Sequence, residues 1–234
     1  FSTPRIVKEK DERALSELLK SFSSAAPDVL YVHNLSAWQL ARERDVNVPL
    51  WADMSLNVFN SQSLAFWKEN GASGAVLSIE LNMGQVERLA GKGILPVECL
   101  VHGPIEMMVS EYCASGSWLG GIDKGACAFG CRKDLFLADR TGALFPLKGD
   151  QHCRMHVLNS RELCMIESLQ RFTKAGVARV RIDARAMNPD NAENVTRAYK
   201  TALAGRSYDL PDGLYTHGHY FRGVTKKVVT DRAE

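Results

Sequence analysis

The chain has 234 residues, 45% of them apolar and 24% charged, with 29 Lys and Arg against 27 Asp and Glu. That length and balance are those of an ordinary soluble globular chain able to bury a full core as one large domain or two small ones. No apolar run approaches the roughly 18 residues of a membrane helix, and six irregularly spaced cysteines without an apolar leader point to reduced thiols in the cytoplasm, against a secreted disulfide framework. The net charge of +2 is unevenly spread: residues 132–185 carry +5 and the remainder −3. A solvated face accounts for such a basic stretch, and so does a surface for an anionic partner such as RNA.

Taken in chain order, short β-branched runs alternate with helical patterns. Strands are predicted at 4–8, 29–33, 50–53, 74–80, 97–102 and 177–183, and helices at 11–22, 36–44, 61–70, 83–91, 160–175 and 190–204. Asn60 or Ser61 is placed to cap the third helix and Gly71 to close it. Ser160 takes the same role for the fifth helix with Gly176 beyond its end, and Asp190 with Glu193 has capping-box spacing for the sixth. Between the fourth and fifth helices, 135–138 and 145–147 are apolar enough to form a small hairpin around 139–142.

Strand-helix-strand alternation implies parallel strands joined by right-handed crossovers. An all-parallel sheet is covered on both faces, as an open doubly wound sheet or as a closed barrel. No Gly-rich phosphate loop follows any strand, which removes the dinucleotide-binding version. Polar residues recur instead at strand C-termini: Asn34, Asp53, Glu80, His102, Asp183 and Arg185. In a (β/α)8 barrel those ends gather at one mouth, where active sites lie; taken singly, each also reads as a cap or a turn residue. The expected architecture is therefore α/β and (β/α)8-barrel-like. Only six or seven strands are found and the chain enters a strand-like run at Phe1, so the first one or two β/α units are expected to be missing. The expected division is barrel units over 1–112, a cysteine-rich insertion over 113–155, and C-terminal β/α units with a tail over 156–234.

The insertion takes its character from Cys113, Cys127, Cys131 and Cys153, spaced C-x13-C-x3-C-x21-C. Soft thiolates gathered from a loop-rich stretch are the ligand set of iron–sulfur clusters and of structural zinc. A zinc ribbon draws on two tight C-x2-C knuckles, which this spacing lacks. Cys99 falls inside a predicted strand and Cys164 on an apolar helix face beside Leu163 and Ile166, so both read as buried structural thiols. Cys164 is the competitor for the fourth ligand place.

Several motifs stand in fixed order: DMSLNVFN from Asp53 to Asn60, LSIEL from Leu77 to Leu81, and VHG from Val101 to Gly103. They continue with Cys113, Cys127 and Cys131–Arg132, then DRTG from Asp139, Asp150-x-x-Cys153–Arg154, LNS from Leu158, and GHYFRG from Gly218 to Gly223. Together they resemble the collagenase-like peptidase family U32 of unassigned catalytic type, over nearly the whole chain. The likeness is greatest to the long members related to the ribosomal RNA C-hydroxylase branch. The resemblance implies a (β/α)8 barrel holding a 4Fe-4S cluster and an oxygen-independent hydroxylase; such relatives act on a tRNA or rRNA base or on a ubiquinone precursor, and here an RNA base is the expected substrate, with prephenate implicated as the hydroxyl source. It also implies Cys113, Cys127 and Cys153 as ligands. Relatives place a first cysteine where this chain has Glu106, and Cys131 would complete the set here.

Four thiolates leave no iron an open protein-ligand position, so other groups must handle substrate. Asp53, Asn57, Glu80 and Asp183 are candidates for acid–base or orienting roles at the barrel mouth. His102 precedes a glycine that lets backbone approach closely, and Arg154 and His156 flank Cys153, where an arginine fork suits a dicarboxylate or an RNA phosphate. The alternatives are a collagenase-like peptidase and a noncatalytic RNA-binding module stapled by a metal. Neither an H-E-x-x-H zinc signature nor a G-x-S-x-G elbow is present. A cysteine nucleophile paired with histidine stays open, and no aromatic RNA-binding signature supports the module.

Overall fold

The structure, a computed structural model, describes residues 1–25, 27–120, 127 and 130–224. In chain order the elements are α1 (Glu9–Ala25), β1 (Leu30–Val32), α2 (Leu35–Glu43), β2 (Leu50–Ala52), α3 (Ser61–Glu69), β3 (Gly74–Val76), α4 (Met83–Ala90) and β4 (Val97–Gly103). There follow β5 (Glu106–Ser110), α5 (Ala114–Leu119), β6 (Leu135–Ala138), β7 (Leu144–Gly149), β8 (Met155–Leu158) and β9 (Glu162–Cys164). The last elements are α6 (Leu169–Ala175), β10 (Arg179–Ile182), α7 (Pro189–Leu203) and β11 (Tyr215–Thr216). Two compact units are interleaved in sequence. One comprises Phe1–Val101, Glu167–Arg181 and His217–Glu234, the other His102–Ile166 and Ile182–Thr216.

The first unit follows the predicted alternation. Strands β1, β2, β3 and β4 are parallel neighbours in that order, with Leu30 opposite Leu50, Trp51 opposite Gly74 and Ala75 opposite Val97, and β10 also pairs with β4. Every residue of β2, β3 and β4 is buried, as strands covered on both faces require. Asparagines start the covering helices. Asn34 accepts the Ala37 N–H at 2.8 Å at the head of α2, and Asn60 and Asn82 form capping boxes with Ser63 and Gln85 for α3 and α4. Leu19, Leu30, Leu64 and Val76 have no accessible surface; burial of each leucine stabilises the fold by roughly 1.5–3 kcal/mol. The strand expected at 4–8 is not formed. Pro4 has no N–H to offer a ladder, pairing is limited to a bridge between Ser2 and Tyr31, and α1 begins at Glu9.

The second unit departs further from expectation. Residues 160–175 were expected as one helix, but Glu162–Cys164 form β9, a 3-10 turn covers Ile166–Ser168, and only Leu169–Ala175 are α-helical. Tertiary pairing decides it: Leu163 and Cys164 lie antiparallel to Gly103 and His102, while Glu162 and Leu163 lie parallel to Tyr215 and Thr216. Ser160 is therefore no helix cap. Asn188, not Asp190, caps α7, with Pro189 in the first turn. The hairpin over 135–147 is present as β6 and β7 within an antiparallel sheet ordered β5-β8-β7-β6. Its turn is tied by Asp139, whose carboxylate accepts from the Thr141 hydroxyl and from the Thr141 and Ala143 N–H groups. A small core of Leu147, Met155 and Val157 lies under this sheet, with Leu135, Phe145 and Cys131 packed on it.

The chain is thus mixed α/β with a parallel sheet. The expectation of parallel strands throughout is corrected at β4, whose partner β9 is antiparallel, and eight parallel strands closing a barrel are not found among the described residues. No helix among them is long and apolar enough to cross a membrane.

Candidate functional site

In the first unit a charged cluster is built on strand residues that face one another. Asp53 directly follows β2, is fully buried, and accepts the Met54 N–H at 2.6 Å. Arg181 of β10 brings Nη1 to 2.9 Å from Asp53 Oδ2 and 3.2 Å from Oδ1; only the second contact has hydrogen-bond alignment. Its Nε donates to Glu98 at 2.5 Å, and its guanidinium stacks 4.3 Å over the Tyr31 ring, whose hydroxyl donates to Glu98 at 2.6 Å. Burial works against the Arg181 charge, but Asp53 and Glu98 outweigh it and hold its pKa above the ordinary value. Desolvation and the Glu98 carboxylate together raise the Tyr31 pKa. His33 completes the group, with Nδ1 3.0 Å from the Ser55 hydroxyl and 3.7 Å from Asp53. Since the guanidinium is already engaged by two carboxylates and a ring, this cluster is suited to orienting strands and fixing local potential more than to capturing a free anion.

In the second unit His102, Glu162, Cys164 and Tyr215 come together because register partners in paired strands share a face. His102 has no exposed surface; its Nδ1 lies 3.3 Å from the Tyr199 hydroxyl and its Nε2 lies 3.8 Å from Glu162 Oε2. Burial pushes the His102 pKa down to about 4, so the ring is neutral at physiological pH. Burial, with the nearby Asp183 carboxylate, raises that of Glu162. Gly103 follows with φ +117°, and a Cβ there would stand 2.3 Å from the Asp183 carbonyl oxygen, a close approach only glycine permits. Asp183 itself is clasped by Arg185 through Nε at 2.9 Å and Nη2 at 2.6 Å. Glu162 opens onto a cavity of about 560 Å3 lined by residues of this unit alone, among them Phe136, Asn159, Asn188, Asn191 and Tyr215.

On the antiparallel sheet His156 stands between two carboxylates, with Nδ1 2.6 Å from Glu106 and Nε2 3.5 Å from Asp150. Burial opposes the Asp150 charge, yet N–H groups of Arg154 and His152 together with His156 hold its pKa below the usual carboxylate range. The Arg154 side chain is buried, 3.7 Å from Glu111. The cysteines divide into two sets. Cys99 and Cys164 are buried, whereas Cys113, Cys127 and Cys131 are half-buried and Cys153 is exposed. Cys113 Sγ caps α5 by accepting the Gly116 N–H at 3.2 Å. Cys131 lies on a 3-10 turn (Gly130–Arg132) that packs on α5 and β7, where Gly149 leaves the space a Cβ would take from it. Among the described residues no three His, Cys, Asp or Glu side chains gather as a metal site; residues 121–126, 128 and 129, next to Cys127, lie outside them. Thiols outside the buried core, of which Cys113 takes a backbone N–H, match the donor chemistry of a cluster or of zinc.

The structure gathers some of the sequence-predicted residues and not others. Asp53 stands in the Arg181 cluster, His102 and Asp183 lie near Glu162, and His156 and Arg154 flank Asp150. Asn57 is an exposed left-handed residue ending a 3-10 turn, Glu80 is exposed in a turn, and Asn34 is a helix cap. Sequence reading missed Tyr31, Glu98, Arg181, Tyr199 and Glu162. A glutamate inside the buried strand β4 and the alternation Arg179-Val180-Arg181-Ile182 were the available signals.

A sequence model described as Peptidase family U32 matches residues 3–208. The chain is 28% identical to an uncharacterized protease of Methanocaldococcus jannaschii, over 96% of this chain and 59% of that protein. It is 22% identical to tRNA hydroxylation protein P of Escherichia coli, over 89% and 56% respectively, and 26% identical to a collagenase of Porphyromonas gingivalis, over 85% and 49%. The chain therefore spans about half the length of these relatives. No solved structure matches it significantly.

Proposed function

The chain belongs to peptidase family U32, and on that footing we propose that it is part of an oxygen-independent RNA hydroxylase acting on a pyrimidine of tRNA or rRNA in the cytoplasm. The observation that carries this reading is the match along 89% of the chain to a protein named for tRNA hydroxylation. Cys113, Cys127, Cys131 and Cys153 are the residues to hold a 4Fe-4S cluster, which supplies one-electron chemistry when bound; zinc on the same thiols, the alternative, supplies shape alone. Prephenate is the proposed hydroxyl source, and Arg154, buried beside Cys153, is suited to orient a carboxylate. Further β/α units in a longer protein would complete the (β/α)8 barrel.

The rival reading is a peptidase, as two of the relatives are named. A cysteine peptidase needs a histidine base facing its thiol. Here both nitrogens of His156, the histidine candidate nearest Cys153 in sequence, face carboxylates, so that ring is not aimed at a thiol. The test is to incubate the full-length protein, purified without oxygen, with total RNA and prephenate, and to analyse the digested nucleosides by mass spectrometry. A pyrimidine nucleoside that gains one oxygen atom is expected. Cleavage of a collagen peptide with unchanged RNA would overturn the proposal.

A further inference from the structure

The cavity of the second unit has the size of a small-molecule site and two kinds of wall. Phe136 and Met187 supply flat or deformable apolar surface, while Asn159, Asn191 and Glu162 supply a polar edge. Charge argues against a free anion: two carboxylates, Glu162 and Asp212, line the cavity with a single cation, Lys148, whose ammonium is paired with Asp134 at 2.9 Å. A planar, uncharged ring bearing both donors and acceptors on one edge satisfies both walls. The carboxamide of Asn188 is already committed on one side, its oxygen accepting the Asn191 N–H at 2.8 Å, so what it offers a ligand is its NH2 group.

A second, independent observation lies behind Glu162. His102 Nε2 is completely buried and has no hydrogen-bond partner among the described residues, although Glu162 Oε2 is only 3.8 Å away. An orphaned buried nitrogen is costly, and a small movement of the carboxyl group toward it relieves that cost. We propose that this cavity receives a pyrimidine base turned out of an RNA strand, that Glu162 reads the polar edge of that base, and that His102 is the positioning residue that fixes the Glu162 carboxyl group. This rests on the RNA-hydroxylation reading and adds to it the seat of the base. The chemistry is that of sites which take a base out of its stack and recognise its pairing edge between apolar faces. A carboxylate accepts from the cytosine amino group or the uracil imide N–H, and carboxamide NH2 groups donate to the ring carbonyl.

The test uses the full-length protein and tRNA transcribed with 5-iodouridine or 5-iodocytidine, photocrosslinked and mapped by tandem mass spectrometry. Crosslinks on Phe136 or Tyr215 are expected. In parallel, Glu162→Gln is expected to lower kcat/KM for hydroxylation about tenfold or more and to change the ratio between uridine and cytidine substrates. His102→Gln is expected to move that ratio in the same direction and to add little in the double variant; a purely structural role would lower the folded fraction and leave the ratio alone. Crosslinks confined to Tyr31 or Trp51, with hydroxylation still observed, would overturn the proposal and leave the RNA reading standing. Neither crosslinking nor hydroxylation, with a collagen peptide cleaved, would overturn both.

Discussion

Arg181 and Asp53, separated by 128 positions in sequence, form an ion pair of 2.9 Å in which the carboxylate is wholly buried and the arginine mostly so. The same guanidinium bonds Glu98, so three charges share a low-dielectric pocket. Removing one partner strands a buried charge, which is more costly than the pair is stabilising. Arg181→Met, which leaves buried Asp53 and Glu98 without their cation, is expected to lower unfolding stability by about 3–5 kcal/mol in urea titrations, and Asp53→Asn, after which Arg181 keeps Glu98, by less. The two changes together should cost less than their sum, because Asp53→Asn removes one of the two carboxylates that Arg181→Met leaves without a cation.

His102 makes stability depend on acidity in a defined sense. Its folded pKa near 4 lies below the ordinary 6.5, so on acidification the unfolded chain takes up the proton first. Stability from this group is full above pH 6.5 and falls as pH drops toward 4. The difference corresponds to about 3 kcal/mol. Glu162, with its raised pKa, works in the opposite sense, since its folded form binds a proton earlier. Subtracting the urea-unfolding pH profile of His102→Gln from that of the parent protein should therefore isolate the loss, and a flat difference between pH 6.5 and 4 would contradict the buried, neutral imidazole.

Much of the first unit was legible because its signals are local. Apolar runs of strand length, asparagine caps and the glycine after α3 all act within a few residues of where they are written. The stretch around Glu162 was not. Leu163, Ile166 and Leu169 satisfy a helical spacing, and only pairing with His102 and Thr216, remote in sequence, turns Glu162–Cys164 into a strand. Misreading that stretch as a helix hid the carboxylate that opens onto the cavity. Arg181 was hidden differently: the alternation around it marks a strand face, but its partners Asp53 and Glu98 become neighbours only when β2, β4 and β10 assemble.

Gly103 tests the packing at the end of β4. Its φ of +117° is unfavourable for any L side chain, and a Cβ would meet the Asp183 carbonyl at 2.3 Å. Backbone on both sides of the clash cannot yield as a flexible side chain would. Gly103→Ala is expected to destabilise by about 3 kcal/mol or more in urea titrations and to displace His102, one residue away. The movement should be visible as loss of the low His102 pKa in an NMR titration of the imidazole.

The cysteines separate a ligand role from a core role within one experiment. Cys127 is half-buried, whereas Cys99 is buried in β4, where burial and then the Glu98 charge raise its thiol pKa and keep it protonated. A protonated core thiol is a poor metal ligand, while an accessible thiol that can ionise is a good one. In full-length protein prepared without oxygen, Cys127→Ser is expected to lower bound iron and sulfide together with hydroxylase activity. Cys99→Ser, at a site where a hydroxyl must be buried in place of a thiol, is expected to cost some stability but to leave iron per folded molecule unchanged. Parallel metal analysis for zinc distinguishes the two candidate centres, and equal iron loadings in the two variants would contradict the ligand assignment.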